Sequence, residues 1–193
     1  DLFVDGERIT HVAHRSDVTA GTWHYDYTSL EIVMGDDPTG HVVEVASTDE
    51  LTQGYADELL LQNLRIVQFA SAAQRPAIRQ LANGTVIRDC EIAWNHGIGT
   101  MIPSDGVIEG SSIHHNGQLG VTSQNSTHAT LRYSELFENN AEDLYSSGWS
   151  AGATKFVRTE DIVVHGNWVH DNHGTGLWTD IYNHRPTYTY NVI

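Results

Sequence analysis

The chain has 193 residues, enough for one substantial domain and too few for two comfortable ones, and 25 acidic against 10 basic residues give it a net charge of -15. Such a surface repels nucleic acid and anionic membranes on average, and it disfavours broad capture of a polyanionic glycan, for which local basic groups or bound cations would be needed. The lone cysteine, Cys90, excludes a disulfide framework and a cysteine-based zinc site, and no apolar run reaches the length of a membrane span.

Residues 1–57 read as a small antiparallel β-module, packed on or inserted into the start of the coil that residues 58–193 form. Asp5-Gly6 sits between two short apolar-alternating runs and predicts a hairpin with a type I′ turn. Strands are expected at 22–27, 30–34 and 41–46, the last two joined through the turn Asp37-Pro38-Thr39-Gly40. Trp23, Tyr25 and Tyr27 alternate and so share one face, either packed against the neighbouring coil or offered as a sugar-stacking platform. Next, "STDELTQGYADELLLQNLRIVQF" is expected to hold one helical turn before the first repeat, and "ASAAQRPAIRQLANG" a longer excursion between strands.

From Thr85 to Asn183 one short pattern returns. "VIRDCEIAWNHGIG", "VIEGSSIHHNGQLG", "ATLRYSELFENNAED" and "VVHGNWVHDNHGTG" superpose without gaps through their middle positions. Ile92, Ile113, Leu136 and Val169 then form one column, and Asn95, Asn116, Asn139 and Asn172 another. Adding Ile66 before and Ile193 after gives steps of 26, 21, 23, 33 and 24 residues, the period of one supersecondary unit. Each unit holds two or three apolar-alternating runs of Val, Ile, Thr and Tyr, separated by Asn, Asp, His and Gly. No stretch is long enough for the helix that leucine-rich, ankyrin or tetratricopeptide repeats require. What remains is an all-β coil of short strands, each stacked on its equivalent one rung away at about 4.8 Å. The Asn column reads as a sharp corner that needs left-handed dihedrals, with amides hydrogen-bonding along the ladder. Gly99, Gly120 and Gly176 mark where the next strand begins. Cys90, two residues before the Ile92 anchor, is expected to be a packed small hydrophobe.

The style of these units, clearest in "GNWVHDNHGTGLWTD", resembles the right-handed parallel β-helix repeat of the pectate-lyase-like superfamily, which includes polysaccharide lyases, mannuronan C5-epimerases and glycosidases. The phrase "GTWHYDY…DDPTGHVVEV" also resembles a segment ahead of the repeats in some bacterial β-helix proteins. The resemblance covers residues 58–193 and implies a solenoid of about five to six rungs. It further implies a secreted or surface location, a polysaccharide partner and the option of calcium held by carboxylates. One fold of this kind hosts many activities.

Function must then lie on outward-facing strand residues and in the variable loops. The long step between Leu136 and Val169 inserts "DLYSSGWSAGATKF", one wall of a groove. Phe156, large and apolar, is placed inward, which turns Lys155, the chain's one lysine, outward beneath Leu177–Asp180. Lys155, His173 and Asp180 are the candidate catalytic residues. Lys155 would neutralise a uronate carboxylate or, uncharged, take the alpha proton; His173 is the alternative base or the acid; Asp180 would orient one of them or hold a cation. Trp149, Trp178 and His115 are the candidate sugar contacts, and the bland alternative is that Lys155 merely pairs with Glu142 or Asp180. Calcium could be met by Asp143, Glu142, Asp171 or Asp180, with Asp171 the nominee, although no D-x-D-x-D-G loop points to it. No HExxH frame accompanies His165, His170 and His173, so they read as solvent-facing loop histidines. Gly148-Trp149-Ser150-Ala151-Gly152 matches G-x-S-x-G formally, but the strand before and helix after that a nucleophile elbow requires are missing.

Two functions from different classes remain open: a lyase or C5-epimerase on a uronate-containing glycan, or a non-catalytic glycan-binding or structural β-helix module. The last strand, ending at Ile193, is also expected to leave an open parallel edge, so that the natural chain continues or packs that end against a partner.

Overall fold

The computed structural model describes residues 1–51, 56–79 and 81–193. The helical turn expected ahead of the first rung falls partly on 52–55, outside the described residues. The chain divides into two compact units, Asp1–Ser47 and Thr48–Ile193.

The first unit is built from two three-stranded sheets. Leu2–Val4 pairs antiparallel with Glu7–Arg8 and with Val43–Val45. The hairpin between the first two is the expected one, with Asp5 at φ 52 and Gly6 at φ 83, the two positive values that a type I′ turn demands. Thr22–Asp26 pairs antiparallel with Glu31–Met34 and parallel with Thr10–His11. The strands flanking Asp37-Pro38-Thr39-Gly40 therefore belong to different sheets, because Val43–Val45 returns to the N-terminal strand instead of its sequence neighbour. Trp23 is buried, its Nε1 donating to the Ile9 carbonyl at 3.2 Å and its ring lying 4.6 Å from His11, whereas Tyr27 is exposed.

The second unit is a parallel β-helix of three sheets. The first sheet stacks Leu60–Gln62, Val86–Arg88, Val107–Glu109, Thr130–Arg132, Val163–His165 and Thr187–Thr189. The second stacks Arg65–Val67, Glu91–Ala93, Ser112–His114, Glu135–Phe137 and Trp168–His170. The third stacks Pro76–Ile78, Ile98–Met101, Leu119–Gln124 and Gly152–Val157, and bridges at Gly152–Thr175 and Phe156–Thr179 carry it one rung further. Ile66, Ile92, Ile113, Leu136 and Val169 lie in register and buried, as the repeat requires. Ile87, Ile108, Leu131 and Val164 line the first sheet's inner face in the same way. Each such side chain contributes roughly 1.5–3 kcal/mol, so the stacked layers supply the driving force of the coil.

The Asn column is a continuous amide ladder. Asn95 Nδ2 donates to Asn116 Oδ1 at 2.8 Å, Asn116 Nδ2 to Asn139 Oδ1 at 2.9 Å and Asn139 Nδ2 to Asn172 Oδ1 at 2.9 Å. The second hydrogen of each amide caps a carbonyl of the preceding turn, as Asn116 Nδ2 does with Ile92 O. The left-handed residue of this corner, however, is the one before the Asn: Trp94, His115, Glu138 and Asp171 have φ of 60, 52, 49 and 50. The asparagine itself is selected for the ladder. The glycine column answers to the same ladder, since a Cβ at Gly99 would stand 2.9 Å from Asn116 Nδ2 and one at Gly120 3.0 Å from Asn139 Nδ2. The other corner forms a mixed ladder in which Ser111 Oγ, Ser134 Oγ, Asn167 Oδ1 and Asn191 Oδ1 each accept the backbone N–H of the residue one rung away. Cys90 fills the first place in that column and is buried.

Candidate functional site

Alternation along the third sheet decides what reaches solvent. In Leu119–Gln124, Val121 and Ser123 point into the core, leaving Thr122 and Gln124 outward. In Gly152–Val157, Thr154 and Phe156 point inward, so Lys155 and Val157 face out, as the size of Phe156 predicts. Thr122 is in register with Lys155, and the Phe156–Thr179 bridge sets Lys155 level with Trp178. The inserted segment is shorter than expected, because Gly152–Val157 is a strand of this sheet and only the residues before it form the loop. Asn140 clamps that loop: its Nδ2 donates to the carbonyls of Tyr145 and His173, and its Oδ1 accepts from Tyr145 N.

These elements enclose a groove of about 290 Å³. Its polar lining includes Gln74, Thr122, Gln124, Ser150, Lys155 and Asp180, and its apolar lining Ile98, Met101, Leu119 and Val157. Lys155 Nζ is the hub. It lies 3.0 Å from Asp180 Oδ2, donates to Ser150 Oγ at 2.8 Å and sits 4.1 Å from the centre of the Trp178 ring. With side-chain exposures of 16% for Lys155 and 31% for Asp180, the pair is partly desolvated and firmer than a surface ion pair.

The predicted site residues divide accordingly. Lys155, Asp180 and Trp178 converge. His173 does not join them: its Nδ1 is 3.2 Å from Asp143 Oδ1 in an exposed pair beside the Asn corner. Trp149 is half exposed, with Tyr145 as its ring neighbour at 5.9 Å, and is not among the groove residues although Ser150 beside it is. Asp171 places Oδ2 2.8 Å from His170 Nδ1, and no three His, Cys, Asp or Glu converge among the described residues. Calcium takes six to eight oxygens, so the donor set at Asp171 does not fit it. The groove also takes in Gln124, which no sequence pattern marks, and Ser150. For Ser150 the signal was present in Gly148–Gly152, but it pointed to a different chemistry.

His115 belongs instead to a ring stack on the second sheet. Its imidazole stacks on Trp94 at 4.0 Å, its Nδ1 is 2.8 Å from His114 Nδ1, and its Nε2 is 2.9 Å from Glu138. His114, Phe137 and His170 form the adjacent column at 4.5 and 5.3 Å. Burial, with the charge of His115, pushes His114 below its ordinary pKa. Hydrogen bonding to Asp171, and secondarily to Glu135, holds His170 above its own.

The three-sheet coil defines the protein as a parallel β-helix with an outward groove on its third sheet. Residues 68–193 match the family model described as the right handed beta helix region, and the chain belongs to that family. No curated protein matches the sequence. Among solved structures the chain is similar to XylC in complex with xylose, at 13% identity and a TM-score of 0.72, over 99% of this chain and 45% of that one. A likeness at that identity is one of fold, and this chain spans less than half of that neighbour. The described residues contain no helix long and apolar enough to cross a membrane.

Proposed function

We propose that this protein binds a polysaccharide in the third-sheet groove and carries out a lyase or C5-epimerase reaction there on a uronate-containing glycan. Both reactions open with loss of the proton alpha to the carboxyl group while positive charge neutralises that carboxylate. Lys155 supplies the charge. When the sugar carboxylate replaces Asp180 on Nζ, Asp180 is released beside C5 and takes the proton. The observation that carries this reading is the meeting of the chain's one lysine with a carboxylate and a buried hydroxyl in a single concavity, with the Trp178 ring centre 4.1 Å from its Nζ. The xylose held by a neighbour of the same fold supports a sugar as the ligand class, at the level of fold analogy. A substrate of this kind goes with secretion or display at the cell surface.

The second reading, a non-catalytic glycan-binding module, is favoured by one observation. Ser150, Asp180 and the Trp178 ring already surround Lys155 Nζ at 2.8, 3.0 and 4.1 Å, an arrangement suited to holding a binding surface rigid. The two are separated by incubating the protein, with and without calcium, with alginate, pectate and glycosaminoglycans. Absorbance of unsaturated uronates reports elimination, and NMR reports epimer content and exchange of the C5 hydrogen in deuterated water. Turnover supports the enzyme, binding without exchange supports the module, and neither with any glycan defeats both.

A further inference from the structure

Ser150 stands in the groove with its hydroxyl oxygen committed to Lys155. Its backbone, at φ 59, takes the left-handed conformation that recurs along this coil. The residue is 5% exposed and lines the groove. An ammonium has no lone pair, so in the 2.8 Å contact Lys155 donates and Ser150 accepts. The hydroxyl hydrogen of Ser150 therefore meets no acceptor among the described residues. A serine whose oxygen already receives a proton donor, with no base beside it, is poorly placed to be a nucleophile. It is well placed to give its hydrogen away and take another from Lys155.

We infer that Ser150 is the general acid of a β-elimination in this groove, protonating the glycosidic oxygen that leaves C4; this rests on the uronate reading above and selects elimination over epimerisation. Asp180 removes the C5 hydrogen, and that electron pair forms the C4–C5 double bond. The C4–O bond breaks with its pair on oxygen, which takes the Ser150 proton. Ser150 Oγ takes a proton from Lys155 Nζ. Protonated Asp180, 3.0 Å from Nζ in the resting site, then returns its proton to Lys155. No proton is gained or lost over the cycle, and no further reactant is needed.

The test compares wild type with Ser150→Ala and Ser150→Gly; the glycine variant removes the hydroxyl while relieving the left-handed backbone. On a natural uronate glycan, elimination is expected to fall about 100-fold or more in both variants, the scale of a lost general acid. On a uronide carrying an aryl ether at C4, whose departure needs no proton, the loss should shrink to less than about 10-fold. Exchange of the C5 hydrogen in deuterated water should continue in the variants, because Asp180 and Lys155 are intact. Equal loss of elimination and exchange, or the same loss on both substrates, would make Ser150 a structural residue and overturn the inference. So would elimination at the wild-type rate in folded Ser150→Gly. If wild-type protein catalyses neither exchange nor elimination, the uronate reading itself fails and takes the inference with it.

Discussion

Asn116 hands its amide hydrogen to Asn139 Oδ1 at 2.9 Å while its own Oδ1 receives Asn95 Nδ2 at 2.8 Å, and all three side chains are fully buried. Asn116→Ala would strip the Asn95 amide of its ladder acceptor and the Ile92 carbonyl of its side-chain donor inside the coil. Each buried polar group left unsatisfied costs about 1–3 kcal/mol, so the variant should lose about 2–5 kcal/mol of unfolding free energy in urea. Asn191→Ala, at a partly exposed place on the other ladder, should lose less than half as much. Equal losses would show that the ladder is not what the buried position depends on.

Gly120→Ala tests the second half of the same device. The added methyl would stand 3.0 Å from both Asn139 Nδ2 and the Ala153 carbonyl, and backbone and ladder must yield to admit it. A loss of about 1–3 kcal/mol is expected from overpacking. Gly84→Ala meets open space at a positive φ, and should lose only about 1 kcal/mol from the left-handed backbone. Reversal of that order in thermal melts would remove the steric account of the glycine column.

Much of this architecture is legible in the sequence, since a column of aliphatic anchors with a fixed partner column can only be satisfied by stacking. Ile92, Ile113, Leu136 and Val169 needed no more than their spacing. The left-handed corner was hidden because the residues that adopt it, Trp94, His115, Glu138 and Asp171, share no side-chain chemistry; backbone geometry places them, and the asparagine beside each is the visible trace. At the groove, the inward Phe156 gave Lys155 its direction and hence its meeting with Asp180. His173 and His115 were misplaced towards the groove because the sequence shows which loop a residue occupies but not at which corner that loop projects. Ser150 was obscured by a motif whose expected context, strand then helix, is replaced here by a strand of the solenoid.

The paired histidines of the second sheet should make stability depend on pH in opposing ways. His114 is held below its ordinary value of 6.5, so as pH falls past that value the unfolded chain takes up the proton first and stability declines towards the folded pKa. His170 is held above 6.5, so its contribution is complete below that pH and fades as pH rises through the folded value. The carboxylates that face these rings are Glu91, Glu135, Glu138 and Asp171. His114→Phe, which keeps a ring to stack on Phe137, should flatten the fall in urea midpoint as pH drops below 6.5, and His170→Phe should remove the gain that accrues as pH drops to 6.5 from above. Parallel pH profiles for both variants and wild type would contradict the assignment.

The fold separates residues that the sequence groups as one site. Lys155 and Asp180 share the groove, whereas His173 pairs with Asp143 outside it. In the uronate reading, Asp180→Asn removes the base and Lys155→Met removes both the neutralising charge and the hub that holds Ser150. Each should lower kcat/KM by about 100-fold or more, the scale of a lost acid–base group. Asp180→Asn retains a hydrogen-bonding side chain of the same shape, so it should still bind glycan, while Lys155→Met should lose binding as well. His173→Ala should stay within about 3-fold of wild type, since an exposed ion pair contributes little and its loss leaves the groove intact. Affinity electrophoresis and progress curves on the same glycan measure both quantities. If His173→Ala abolishes turnover while Asp180→Asn retains it, the chemistry lies at the Asn corner and the third-sheet groove is only a surface feature.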